Sequence, residues 1–478
     1  MTKGTVRLFV YNSYTVIKGS NQAIDRVVDW CIKDYMYWGQ DWTKRPVRMV
    51  KREAFLNYFE AGNKFPSGWT GKFYRDLKEL GYDVKIIERR TKPGKAIDGQ
   101  FMVHPLTLRY YQEDALKIGF ATGRGIFHHA TGAGKTILMV ALLNKIRRPS
   151  IIMVPTLNLL LQISEELNKF FDSELVGTIG EGKFNPKLFT VATVQSLWSR
   201  IKAGDDELKP CIKSCEALYI DEAHHISISG KNKIKNSYFQ IAQLVDAYYR
   251  FGFTATPGQE KSLGRELLEA ATGRIIHVKS SSYLIREGYL TPPLIQIYPI
   301  SVIKGYRDWP LAYQYNILEN VERNTTIKKL AQHYASCGDS VLIIVNRVEC
   351  HGVVLHEAIE GSALLVGDTA TEERQEIFEH FEKKIIKILI STVVNEGVNI
   401  PSMDVIIMAA GGKSSRAVIQ RVGRCLRKSE GKTEARIIDF LDQDGKVLER
   451  HSNARISTYK SEEAFKYEEM PKFTGRIS

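Results

Sequence analysis

The sequence predicts an α/β protein: two tandem parallel-sheet lobes preceded by a small α+β domain. Three observations predict it. The short apolar or β-branched runs GIFHHA, SIIMVP, LFTVAT, ALYIDEA and YRFGFTAT alternate with helical patterns between residues 125 and 256. A second series, SVLIIVN, SALLVG, KILIST, DVIIMAA and ARIIDF, begins near residue 340. Runs of this kind, apolar throughout and separated by helices, read as parallel strands buried on both faces. The first 90 residues lack that regular alternation.

There, TVRLFVYN and YTVIKG read as strands separated by Asn-Ser, NQAIDRVVDWCIKDYM as an amphipathic helix and VRMVKR as a strand. FPSGWTGKFYRDLKELGYDVKIIERR reads as a helix, a Gly turn and a strand, and TKPGKAIDGQ as a linker. Boundaries are expected at residues 1–95, 96–290, 291–450 and 451–478, the last a tail packing back on the second lobe with frayed ends. Three domains suit 478 residues.

Composition is that of a globular protein, 44% hydrophobic and 25% charged. No apolar run is long enough to span a membrane, and MTKGTVRLFVYNSYT is not a secretory signal. The six cysteines read as reduced thiols, so a cytoplasmic location is expected. Cys211 and Cys215 are spaced too widely for a C-x2-C zinc pair. The net charge of +13 is uneven: residues 1–100 hold 19 Lys+Arg against 11 Asp+Glu, together with Trp30, Trp38, Trp42 and Trp69. A basic, aromatic module suits nucleic acid; a protein-docking or structural cap would explain the rings equally well.

Chemistry enters with HATGAGKT, residues 129–136, between a strand and the helical stretch ILMVALLNKI. This strand–loop–helix setting defines a phosphate-binding loop. The backbone of Thr131, Gly132, Ala133 and Gly134 would cradle ATP phosphates, Lys135 would neutralise them and the Thr136 hydroxyl would ligate Mg2+. The usual pattern has Gly where this chain has His129. LYIDEAHH, residues 218–225, ends a strand in two carboxylates. Asp221 would hold Mg2+ and Glu222 would orient and deprotonate the attacking water. Upstream, LRYYQ offers Arg109 and Gln112, whose amide could read the adenine edge or simply face solvent.

These motifs, with GFTATP (252–257), VPTLNLLLQ (154–162), VATVQSL (191–197), IIVNRVECH (343–351), STVVNEGVNIP (391–401) and QRVGRCLR (420–427), stand in an order that resembles the superfamily 2 helicases over about residues 105–430. The resemblance implies RecA-like lobes and an ATP-driven nucleic-acid motor. It assigns Arg424 and Arg427 as arginine fingers and Gln420 as a γ-phosphate reader, with Arg421 structural or shared between jobs. Gly397 and Asn399 line the ribose side; His224, Thr254 and Thr256 couple the two activities. Pro155, Thr156, Thr193, Gln195, Asn346, Arg347 and Thr392 contact the nucleic-acid backbone. FPSGWTGKFYRDLKELGYD and the pair Arg323-Asn324 are similar, more narrowly, to the phage UvsW-type branch-migration helicases. That likeness implies a DNA-stimulated ATPase acting on forks, Holliday junctions and displacement loops in phage recombination, repair or replication, with DNA as the partner and RNA–DNA hybrids within reach; a monomer is expected. An RNA helicase and the motor subunit of a restriction system are the alternatives.

Overall fold

A computed structural model describes residues 3–33, 36–41, 48–53, 63–226, 237–258, 262–366, 369–392, 403–412, 422–423, 425–428, 431–443 and 445–473, with backbone alone for 28–33, 36–41, 48–53, 263 and 371. The chain forms two compact units, residues 1–129 with 134–278, and residues 279–478 with 130–133.

The first unit begins with the small α+β domain. Strands β1 (Thr5–Val10), β2 (Tyr14–Lys18), β5 (Lys64–Pro66) and β6 (Asp83–Glu88) form one sheet in the order β5-β2-β1-β6, while β3 (Met36–Asp41) and β4 (Arg48–Glu53) pair as a separate ribbon. Val6, Leu8, Val10 and Ile17 alternate onto one face. Against them pack Phe73 and Leu77, one helical turn apart on Thr70–Glu79, with Trp69 just ahead. Gly81, at φ +88°, turns the chain from that helix into β6.

This domain is fixed to the sheet domain that follows it. Trp69 is 1% exposed, and its indole Nε1 donates to the carbonyl of Glu266 at 3.0 Å. Lys72 Nζ reaches Glu266 Oε1 at 3.0 Å. Arg124 donates to Ser67 Oγ at 2.7 Å and to the carbonyl of Asn12 at 2.8 Å. Asn12 Nδ2 donates to the Asp246 carbonyl at 3.0 Å. One apolar core runs through both parts, from Val6 and Phe73 to Leu267, Ala270 and Ala271.

The RecA-like sheet of this unit comprises β7 (Arg124–His129), β8 (Ser150–Val154), β9 (Val176–Gly180), β10 (Lys183–Asn185), β11 (Phe189–Thr193), β12 (Ala217–Ile220), β13 (Tyr249–Thr254) and β14 (Ile275–Lys279), in the order β10-β9-β11-β8-β12-β13-β7-β14. From β9 to β7 every pairing is parallel. Each residue of β8, β11, β12 and β13 is buried, which is why these runs carry no polar alternation. Arg250 is the exception in kind: its guanidinium, 0% exposed, donates to the carbonyls of Ala242, Val245 and Ala271.

The second unit carries a wholly parallel sheet of β15 (Pro293–Ser301), β16 (Val341–Ile344), β17 (Ser362–Leu365), β18 (Ile388–Ser391), β19 (Val405–Ile407), β20 (Ala435–Gln443) and β21 (Lys466–Glu469), in the order β17-β18-β16-β19-β20-β15-β21. Residues expected to form a tail supply most of the helix Lys446–Lys460, which begins five residues before the expected boundary, and the edge strand β21. Buried ion pairs hold this helix and the helix Val321–Ser336 to β20. Arg455 Nε meets Asp439 Oδ2 at 2.8 Å, and Arg323 Nη1 meets Asp442 Oδ1 at 2.6 Å. Ser452 Oγ donates to Asp442 Oδ2 at 2.9 Å, and Tyr459 OH to Asp439 Oδ2 at 2.7 Å.

Candidate active site

Ligands of open parallel sheets bind at the carboxyl ends of the strands. In the first unit five neighbouring strands, β11-β8-β12-β13-β7, end on the same edge. Along that edge stand, in order, Thr193, Pro155 with Thr156, Asp221 with Glu222, Thr254 with Thr256, and His129, which closes β7, with Gly134, Lys135 and Thr136 following in the chain.

The loop's conformation follows from its glycines. Gly132 lies at φ +82° and Gly134 at φ +73°, a region that side chains disfavour. Gly134 is also hemmed in: a Cβ there would stand 2.5 Å from Gln112 Nε2. The helix Lys135–Ile146 starts immediately after it, its N-terminal N–H groups and dipole suited to anions. His129 needs no such freedom. It closes β7 in ordinary strand geometry, with its ring 0% exposed and Nε2 2.7 Å from His277 Nδ1 on β14. The departure from the usual glycine therefore falls outside the phosphate cradle.

Gln112 is 2% exposed, and its amide braces the loop. Oε1 accepts from the Arg109 N–H at 2.9 Å, capping the helix Tyr110–Thr122, and Nε2 donates to the Gly134 carbonyl at 3.2 Å. Arg109 Nη1 donates to Tyr111 OH at 2.9 Å. The alternative of a solvent-facing glutamine is excluded.

Asp221 is 6% exposed at the end of β12. Burial pushes its pKa well up, the Glu222 charge adds to that, and Lys135 opposes it. A buried carboxyl short of positive charge and the Thr136 hydroxyl, which follows β7 on the same sheet edge, are oxygen donors of the kind that suit a hard cation such as Mg2+. Glu222 adopts φ +43°, ψ +48°, a strained conformation for a side-chain-bearing residue. Its Oε2 lies 3.3 Å from His224 Nδ1, which lies 3.1 Å from Thr254 Oγ1; that oxygen accepts from the Thr256 N–H at 3.0 Å. The three residues expected to couple the activities thus form one hydrogen-bonded chain at the end of β13, with the Glu222 carboxylate 3.3 Å from its His224 end.

The residues expected at nucleic acid in this unit also cluster. Thr156 caps the helix Leu157–Asn168 by accepting from the Leu159 N–H at 3.3 Å. Thr193 caps Val194–Ala203 by accepting from the Ser196 N–H, while its hydroxyl donates to Ser196 Oγ at 2.8 Å. Gln195 Nε2 donates to the Pro155 carbonyl at 2.9 Å, linking the two segments. In the second unit, Asn346 and Thr392 follow the paired strands β16 and β18. Asn346 Nδ2 donates to the Ala410 carbonyl at 2.7 Å, and the Arg347 guanidinium stands 5.6 Å from the centre of the Tyr313 ring. Arg427 is half-buried, and desolvation lowers its pKa. Gly397, Asn399, Gln420, Arg421 and Arg424 lie outside the described residues.

Sequence reasoning missed Arg124, whose pKa burial lowers to about 9, and Arg250. Arg250 is a lone charge inside an apolar strand and Arg124 opens one, a sequence signal that the charge has buried polar partners waiting.

The model of the type III restriction enzyme res subunit matches residues 105–259, and that of the helicase conserved C-terminal domain matches residues 323–429. The chain belongs to the superfamily 2 helicases. This helicase is 28% identical over 411 residues to the DNA 3'-5' translocase XPB2 of Sulfurisphaera tokodaii, covering 77% of this chain and 89% of that one. It is 23% identical over 413 residues to the ATP-dependent DNA helicase uvsW of Enterobacteria phage T4, covering 80% of each. Of three other relatives it spans 64%, 56% and 51%. Its fold matches that of the ATP-dependent type ISP restriction-modification enzyme LlaBIII bound to DNA, with a TM-score of 0.59 at 16% identity, over 78% of this chain and 32% of that one. As a member of this family it is an ATP-dependent nucleic-acid helicase. Among the described residues no helix is long and apolar enough to cross a membrane.

Proposed function

We propose that this helicase is an ATP-driven motor on branched DNA, acting at forks, Holliday junctions and displacement loops. The observation that carries the reading is the continuous edge of the first sheet. At one end it holds a phosphate loop and at the other the hydroxyl and amide groups of Thr156, Thr193 and Gln195, with the chain Glu222–His224–Thr254–Thr256 leading away from the acidic pair between them. Hydrolysis on one part of an edge and a sequence-indifferent backbone grip on another are what a translocating motor requires. The relatives named for DNA translocation and DNA unwinding support DNA over RNA.

In this reading Lys135 neutralises the β- and γ-phosphates of ATP, and Thr136 and Asp221 hold Mg2+, which supplies further charge neutralisation when bound. Glu222, held by its strained backbone and His224, orients the attacking water and takes its proton. Gln112 keeps Gly134, and with it the loop, in place, and in this reading Gln112 and Arg109 also stand at the adenine. Arg424 and Arg427 neutralise the charge on the transferring phosphoryl, Gln420 reads it, and Gly397 and Asn399 stand by the ribose. Asn346, Arg347 and Thr392 extend the backbone grip.

The deciding experiment compares ATPase stimulation and strand conversion on a synthetic Holliday junction, a fork, a tailed duplex and RNA of matched length. Preferential conversion of the branched DNAs is expected, and greater stimulation by RNA overturns the reading. Lys135→Ala should reduce turnover by roughly 10^2–10^3-fold or more; unchanged ATPase would refute the site. The match to the restriction res subunit favours a second reading, a translocase that moves along duplex without separating strands. Triplex displacement without junction conversion would identify it.

A further inference from the structure

The four-stranded sheet of the N-terminal domain has one face covered by its helices and an opposite face built unlike an ordinary solvated surface. The register places Lys18, Arg7 and Lys85 directly across from one another on β2, β1 and β6. All three are exposed. Like charges directly opposite in a ladder destabilise a sheet, and this row places three side by side across about 10 Å. Asp83 stands one row away and reaches Lys85 only at 4.0 Å. The next row holds Lys64, Val16, Phe9 and Ile87. Beyond it Tyr14 stacks on Tyr11 with ring centres 4.6 Å apart and planes 20° from parallel. Lys18 Nζ lies 5.4 Å from the Phe9 ring and Lys64 Nζ 4.9 Å from the Tyr14 ring, so cations are already arranged around the aromatic faces. Phe9, Tyr11 and Tyr14 are each half-buried.

We infer that this face binds a single-stranded segment of the DNA on which the motor acts, with phosphates along the Lys18–Arg7–Lys85 row and bases stacked against Phe9, Tyr14 and Tyr11. The inference rests on the DNA reading above and deepens it by naming the strand and the face. A row of three exposed cations, with one carboxylate only at 4.0 Å, beside half-buried rings is the pattern that attracts phosphate while offering bases a stacking surface, without regard to sequence. Because the domain is fixed to the first sheet through Trp69, Lys72 and Arg124, a strand held here is held by the unit that carries Lys135 and the acidic pair.

The test uses the full chain and fluorescein-labelled oligothymidylate, with a blunt duplex and an oligouridylate of the same length as comparison arms. The triple variant Arg7→Gln/Lys18→Gln/Lys85→Gln is measured against Arg26→Gln/Arg75→Gln/Lys78→Gln, which removes equal charge from exposed positions on the domain's helices. The first should bind the single strand at least tenfold more weakly and lower the slope of log affinity against log salt by about 2, the value for three phosphates on a single strand. The second should stay within about twofold. Tyr14→Ala should weaken binding at least about fivefold, with the salt slope unchanged. Far-ultraviolet circular dichroism and the melting temperature report folding of each variant. Equal losses in the two triple variants, a loss confined to the duplex, or a loss confined to RNA overturns the inference. Retained ATPase in Lys135→Ala would instead refute the motor reading, so the two failures are distinguishable.

Discussion

The contact between the N-terminal domain and the first RecA-like sheet can be tested with one added methyl group. Gly68 lies in the turn before Trp69, and a Cβ built there falls 1.9 Å from the carbonyl oxygen of Glu269 and 2.6 Å from that of Ala270. Both are backbone atoms of the helix Leu263–Thr272, so no side chain can swing aside. Accommodation requires the two bodies to separate by more than an ångström. That opens the 3.0 Å bond from the Trp69 indole to Glu266 and loosens the apolar core shared by Phe73 and Leu267. Overpacking of this kind costs about 1–3 kcal/mol, and an unpaired buried indole N–H adds about 1–3 more, so Gly68→Ala should destabilise the first unit by about 2–5 kcal/mol. The apparent melting temperature should fall on the order of 5–10 °C. Gly71 supplies the control. It is exposed on the helix Thr70–Glu79, and a Cβ there meets nothing within 4 Å, so Gly71→Ala should gain about 0.5 kcal/mol from helix propensity. Calorimetry and limited proteolysis of the two variants decide the matter. If Gly68→Ala proves as stable as Gly71→Ala, the docking described above is wrong.

Thr254→Val keeps the shape of β13 but removes the oxygen that meets His224 and the Thr256 N–H; stability should fall by about 1–3 kcal/mol, and in steady-state assays stimulation by nucleic acid should fall more than basal ATPase. Arg323→Met strands Asp442, 1% exposed, and should cost the second unit about 3–5 kcal/mol in urea unfolding; a cost below about 1 kcal/mol would mean that the pair is solvated. His351 is 0% exposed, and burial, reinforced by Arg323, holds its pKa down at about 3 against an ordinary 6.5. The unfolded chain therefore takes up a proton that the folded one refuses. This contribution to stability is complete above about pH 6.5 and is lost at about 1.4 kcal/mol per pH unit as the pH falls toward 3. His351→Gln should remove that slope from the stability profile between pH 6 and 4, and an identical slope in the variant would refute the assignment.

The strands of both lobes were legible because parallel strands buried on two faces leave unbroken apolar runs, as in SIIMVP and ALYIDEA. The phosphate loop was legible because its backbone demands glycine at Gly132 and Gly134, and the acidic pair because it terminates such a run. What pattern could not supply was partnership at a distance. Trp69 reads equally well as the core of a small domain or as a bridge, and only the fold brings the Glu266 carbonyl to its indole. Arg323 and Asp442 lie 119 positions apart, and no periodicity joins them. The pair Arg323-Asn324 was noticed through resemblance alone. The structure gives it a physical task, since Asn324 Oδ1 stands 3.0 Å from His351 Nε2 while Arg323 anchors β20. His129 departs from the loop pattern at a position whose strand geometry places no demand for glycine.

Strand β21 is short and charged, yet it borders β15, whose first six residues are all buried. Any cut made upstream of Lys466 would strip that flank and bare a row of amide and carbonyl groups on an apolar ribbon, the kind of surface that recruits another chain. Shortened versions of this protein prepared for biochemistry should therefore retain residues through Met470, whose N–H donates to the Ile297 carbonyl at 2.9 Å, or carry the risk of clumping for reasons unrelated to catalysis.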